Sequence, residues 1–90
     1  MYSENVHAIM VPRFVAGALA RLHEARLVAG TLNRDARAKV AADLHQIACE
    51  AGLLELPTIA GLAKVCERRV AAGDDSADAL AQLERAIESI

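Results

Sequence analysis

Four stretches of the chain repeat apolar residues at three- and four-residue steps, and the breaks between them carry residues that stop and start helices. From Pro12 to Ala29 the set Phe14, Val15, Ala18, Leu19, Leu22, Ala25 and Ala29 falls on one helical stripe. Pro12 suits the first turn, where a missing N–H costs nothing, and Gly30 can end the helix in a left-handed conformation. Thr31 or Asn33 can cap a second helix, in which Val40, Leu44, Ile47, Ala51 and Leu54 recur at heptad-like spacing. Gly52 weakens or bends its end, and Pro57 opens a third helix to about Ala72, with Ile59, Leu62, Cys66 and Val70 inside. Gly73 closes that helix, Asp75 or Ser76 caps the last, and Leu80, Leu83, Ile87 and Ile90 form the final stripe.

Short connections of this kind make consecutive helices antiparallel neighbours. The predicted fold is therefore all-α, an antiparallel up-down-up-down four-helix bundle over residues 12–90. Residues 1–11 lack clear periodicity and read as an N-terminal lead-in or a short capping helix.

Composition agrees with this pattern. A chain of 90 residues allows one core. Its apolar residues are largely alanines, with Tyr2 and Phe14 the only aromatics, which favours close-packed helices over a sheet. A net charge of −2 with arginines scattered among acids supplies no basic stripe, so nucleic acid is not an expected partner. The apolar runs fall far short of the roughly 20 residues that span a bilayer, and no signal peptide opens the chain. The expectation is a cytoplasmic monomer that does not engage membranes. Cys49 and Cys66 lie outside any CxxC or Cys/His metal spacing and read as reduced thiols; no metal site is expected.

The second helix carries the candidate chemistry. On a wheel of 100° per residue centred on its apolar stripe, His45 falls at roughly 140° and should reach solvent. Its neighbours on that side are Ala38, Ala41, Ala42, Ala48, Cys49 and Gly52, all small, while Lys39, Asp43, Gln46 and Glu50 gather on the other flank. Alanine is the best helix former and abundant here, so such a face needs no function. A water-facing helix surface normally carries Lys, Glu or Arg, however, and an exposed apolar patch marks a contact site. An exposed imidazole is largely neutral near pH 7 and keeps a nucleophilic nitrogen, which suits phosphoryl transfer when a partner supplies the aspartate and Mg²⁺. The small residues would let that partner's active site in.

The run Asp43-Leu44-His45-Gln46-Ile47-Ala48-Cys49-Glu50-Ala51-Gly52-Leu53-Leu54-Glu55-Leu56-Pro57, followed by Leu62, Cys66-Glu67 and Ala72-Gly73-Asp74, resembles the histidine-containing phosphotransfer (HPt) domain of bacterial phosphorelays. The resemblance extends from about Pro12 onward. It implies a four-helix bundle in which His45 accepts and returns a phosphoryl group, a phosphocarrier in a two-component system and not a self-sufficient catalyst. It also implies receiver domains of response regulators, or a hybrid histidine kinase, as partners, with no cofactor of its own and Mg²⁺ on the receiver. The family pattern has Lys three residues after the histidine, which helps stabilise the phosphoryl group, and Gly four after, which clears space; Ala48 and Cys49 stand there instead. Lys64 or Arg68 of the third helix could supply the cation. The alternative is a degenerate HPt-like module that binds a receiver or kinase domain without carrying phosphate, a reading the missing lysine favours.

Other candidates carry less. His23-Glu24 resembles the opening of the phosphoacceptor box of sensor-kinase dimerisation hairpins, but Leu27 and Val28 occupy positions where that box has Pro or Thr. His7 reads as solvated. Cys49 lies one turn from His45, the spacing of a Cys-His pair, yet no Asn or Asp orienter is assured by the sequence, no oxyanion donor is evident, and a flat helix face gives no cleft. Glu50, Glu67, Asp74 and Asp75 read as helix-end and surface charges.

Overall fold

A computed structural model describes residues 2–28 and 33–90, with side chains from residue 8 onward in the first segment. Among these residues the protein is an all-α four-helix bundle without strands: α1 spans Tyr2–Val28, α2 Arg34–Leu53, α3 Pro57–Ala72 and α4 Ala77–Glu88. Each helix packs on two neighbours, α1 on α2 and α4, and α3 on α2 and α4, and the diagonal pairs stay apart. The α2–α3 pair makes the most extensive contact.

The core follows the apolar stripes. Phe14, Ala18, Leu22 and Ala25 of α1 meet Val40, Leu44, Ile47 and Ala51 of α2, Ile59, Ala63, Cys66 and Val70 of α3, and Leu80, Leu83 and Ile87 of α4. Burial pushes the Cys66 thiol up to about 11, against a lowering influence from Arg69. Leu62 is only half-buried and Ala63 takes the inner position beside it. Ile90 is 53% exposed, because α4 ends at Glu88 and the helical period no longer points residue 90 inward.

One boundary differs from the sequence reading. Pro12 lies inside α1 and does not start it, so the segment expected as a lead-in or a separate short capping helix is, from Tyr2 on, the beginning of a continuous 27-residue helix. Proline removes the hydrogen bond to the carbonyl four residues back. Here that residue is Ala8, which is exposed, as is Pro12 itself, so water can satisfy the carbonyl. Ala29, Gly30 and Thr31 fall outside the described residues, as does the His7 side chain.

The remaining boundaries follow their expected local chemistry. The Asn33 side chain accepts from the backbone N–H groups of Asp35, at 2.9 Å, and Ala36, at 3.2 Å, capping α2. Ser76 occupies the cap position of α4, but it is the Asp75 carboxylate that accepts from the Ala77 N–H, at 3.1 Å. Gly73 closes α3 at φ 77°, with the Arg37 guanidinium lying where a Cβ would sit.

The α2–α3 turn is tighter. Leu56 N–H donates to the Ala51 carbonyl at 2.8 Å and Glu55 N–H to that of Gly52 at 3.2 Å, the paired bonds of a Schellman ending. Its left-handed position is held by Glu55 at φ 61°, the one described non-glycine residue with positive φ. A side chain there costs about 1 kcal/mol through the clash of Cβ with the following carbonyl. Glu55→Gly is therefore expected to raise the unfolding free energy by about 0.5–1 kcal/mol, measured by urea denaturation; a loss of stability would contradict the strain.

Cys66 generates a second expectation. Its thiol is raised in the folded state from an ordinary 9.0 to about 11, so over that window the unfolded chain loses a proton that the native state retains. Stability should fall as pH rises from about 9 to about 11, and this decline should be shallower in Cys66→Ala when both proteins are denatured across the range.

Candidate functional site

The chain turns back on itself about Leu56. Helices have one rise per residue, so in an antiparallel hairpin residues equally far from the turn face one another. His45 lies eleven positions before Leu56 and Glu67 eleven after it, and Ala48 and Lys64 stand eight before and eight after. These pairs meet on one side of the α2–α3 seam, where His45, Ala48, Cys49, Gly52, Lys64, Glu67 and Arg68 line an open hollow of about 590 Å³.

His45 stands at its rim with 65% of its side chain exposed, and its Nδ1 lies 3.2 Å from Glu67 Oε1. A carboxylate can only accept, so this contact places a proton on Nδ1 and leaves the lone pair of neutral imidazole on Nε2. Cys49 Sγ is 3.6 Å from Nε2, so its thiol can donate weakly to that lone pair. The three side chains form a chain Glu67···His45···Cys49 spanning two helices. Its outer end, Cys49, is exposed, while Glu67 is half-buried with 29% of its side chain accessible.

The residues proposed from sequence divide into two groups. Cys49 and Gly52 share the hollow with His45, as do Lys64 and Arg68 across the seam. Ala48 also lines it, but is 4% exposed and belongs to the core as well as to the hollow floor. That corrects its placement on a solvent face: a helix that touches neighbours on two sides buries an arc wider than its apolar stripe, and Ala48 falls at about 80° from the stripe centre. Ala38 and Ala41 line a separate hollow nearer the start of α2, with Arg34, Arg37, Ala71 and Ala72, and Ala42 is exposed. The small-residue face is thus divided along the seam.

Glu67 was not anticipated. The sequence assured no Asn or Asp orienter beside His45 and Cys49, and Glu67 takes that place at Nδ1; the signal that could have found it is its mirror position about Leu56. Glu50, by contrast, is engaged elsewhere, accepting from Arg21 Nη1 of α1 at 2.9 Å. His23 is exposed on the opposite part of the bundle, beside Leu19, Arg26, Leu27, Glu84 and Glu88. Among the described residues no group of three or more His, Cys, Asp and Glu side chains is arranged to hold a metal, and no helix is long and apolar enough to cross a membrane.

The hollow is open, carries Lys64 and Arg68 beside the Glu67 carboxylate on its α3 side, and presents an imidazole whose Nδ1 is held by that carboxylate. It has no enclosing walls to exclude water, so chemistry that needs a closed pocket would have to borrow one from a docked partner. Comparison with protein families, with curated proteins and with solved structures gives no match for this chain.

The Glu67 contact is testable on its own. Nitrogen-15 NMR of the neutral imidazole is expected to report His45 chiefly as the Nδ1–H tautomer, and Glu67→Ala to shift the population toward Nε2–H. An unchanged tautomer ratio in the variant would mean that Glu67 does not orient the ring.

Proposed function

We propose that this protein is an HPt-type phosphocarrier in which His45 Nε2 takes a phosphoryl group from the aspartate of one receiver domain and passes it to another. The observation that carries the reading is the arrangement at the hollow: an exposed imidazole with its Nδ1 on Glu67 and its Nε2 3.6 Å from the Cys49 thiol, in a hollow that Lys64 and Arg68 also line. In the transfer the Nε2 lone pair forms the N–P bond as the bond from phosphorus to the aspartyl oxygen breaks. The receiver keeps its carboxylate and the Mg²⁺ that balances the equatorial oxygens. Glu67 stabilises the positive charge that develops on the ring, as a carboxylate does for any imidazole that becomes cationic in a reaction.

The resemblance in sequence around His45 supports the same reading, and the hairpin places Lys64 in the hollow on the side of its main departure. Where the family pattern has Lys, this chain has Ala48, whose mirror position on α3 is Lys64. The cation is supplied from across the seam. A small Ala48 leaves room for that longer side chain, and Arg68 lies one turn further along the same face of α3.

The test is to mix the protein with an aspartyl-phosphorylated receiver and Mg²⁺ and follow label that is acid-labile and base-stable. Wild-type protein is expected to take up label, His45→Gln to take up none, and Lys64→Ala combined with Arg68→Ala to slow uptake by about ten-fold, the worth of a charge-assisted contact. Label persisting in His45→Gln would sink the assignment. Receiver binding without any label would favour the second reading, a helical module that docks receivers and carries no phosphate; the thiol of Cys49 against Nε2 is the observation on its side.

A further inference from the structure

The phosphocarrier reading leaves Cys49 unexplained. It lies one turn from His45 on α2 with its Sγ 3.6 Å from Nε2, and a residue that merely had to be small need not carry a thiol. Cys49 is exposed while Cys66 is buried, so the two cysteines of the chain differ wholly in access. Around Cys49 the hollow holds a base at 3.6 Å, a carboxylate fixing that base's tautomer, and the two cations Lys64 and Arg68. Reactive thiols occupy surroundings of this kind, partly exposed, electropositive and next to a proton acceptor.

We propose that Cys49 is a modification site for hydroperoxides, with His45 as its base. The step balances without further reagents. Nε2 takes the thiol proton as sulfur attacks the distal peroxide oxygen; the S–O bond forms and the O–O bond breaks. Sulfur is oxidised by two electrons to the sulfenic acid, and the peroxide is reduced. The departing hydroxide or alkoxide collects the proton from Nε2 and leaves as water or alcohol. Lys64 and Arg68 line the same hollow and offer positive charge to the anion that develops on the leaving oxygen. The sulfenic oxygen then sits against Nε2 and blocks it, so oxidation of Cys49 and any reaction at that nitrogen exclude one another. That exclusion gates phosphorylation where the phosphocarrier reading holds; the thiol chemistry itself does not depend on that reading.

The experiment exposes the full chain to hydrogen peroxide, traps sulfenic acid with dimedone, and locates the adduct by peptide mass. Adduct is expected on Cys49 and not on Cys66, with His45→Gln slowing its formation by about ten-fold or more, the lower side of what a positioned base contributes. Protection of Cys66 in the same sample reports that the variant is folded. Equal rates in wild type and His45→Gln would overturn the proposal, as would adduct forming on Cys66 as fast as on Cys49. A second arm reads the nitrogen directly, without a phosphate donor. Acylation of His45 by diethyl pyrocarbonate is expected to drop several-fold after oxidation and to recover on reduction with dithiothreitol, and undiminished acylation would overturn the blocking. Because neither arm uses a receiver domain, their failure is distinct from failure of phosphoryl uptake.

Discussion

The close antiparallel packing of α2 on α3 governs what the rest of the molecule can do. It rests on small side chains along the seam, among them Ala48, Ala51, Ala60 and Ala63, which let two backbones come together while larger residues fill the bundle interior. The turn at 54–56 fixes the register of that packing through the bonds from Glu55 and Leu56 to the end of α2. A change of one residue in the turn would rotate α3 by about 100° relative to α2. Glu67 would then leave His45, and Lys64 would leave the hollow. The left-handed conformation at Glu55 is thus tied to His45 ten residues before it and Glu67 twelve after it, because it sets which side chains of the two helices face one another.

How far this was legible depends on the range of the interaction involved. Helix existence and most core residues follow from local periodicity, so Val40, Leu44, Ile47, Ile59, Cys66, Leu80 and Leu83 could be assigned to the interior from spacing alone. Caps are also local: Asn33 and Gly73 act within one turn of their own positions. Pro12 misleads because the rule that places proline at a helix start assumes that the lost hydrogen bond is expensive, whereas a carbonyl at exposed Ala8 can turn to water. Ile90 misleads for the opposite reason, since its spacing extends a period past the point where the backbone stops being helical.

The site was half legible. A single-helix wheel places His45 outward, as observed, because one helix's own periodicity settles that. It cannot say what stands opposite, and both the burial of Ala48 and the arrival of Glu67 depend on α3. Residue 67 differs from any other surface glutamate only by its distance from Leu56, and that distance means something only once the hairpin's centre is known. The tautomer of His45, and with it which nitrogen keeps the lone pair, therefore belongs to tertiary structure and is not encoded in the residues next to the histidine.

Glu67 and Cys49 pull on His45 in ways that cooperate and then conflict. The carboxylate at Nδ1 makes Nε2 the acceptor, which is what the proposed phosphoryl transfer and the neighbouring thiol both require. Only one of them can use the lone pair at a time. A glycine at position 49 would leave Nε2 uncontested, and an alanine would keep the helix-forming preference without the contest. A thiol keeps the position small enough for a partner to approach, yet adds a competitor that redox chemistry can convert from a weak hydrogen-bond donor into a bulkier polar group. In an open hollow with no lid, where access cannot be controlled by closing a pocket, altering one side chain beside the nucleophile is a direct physical means of controlling what reaches it.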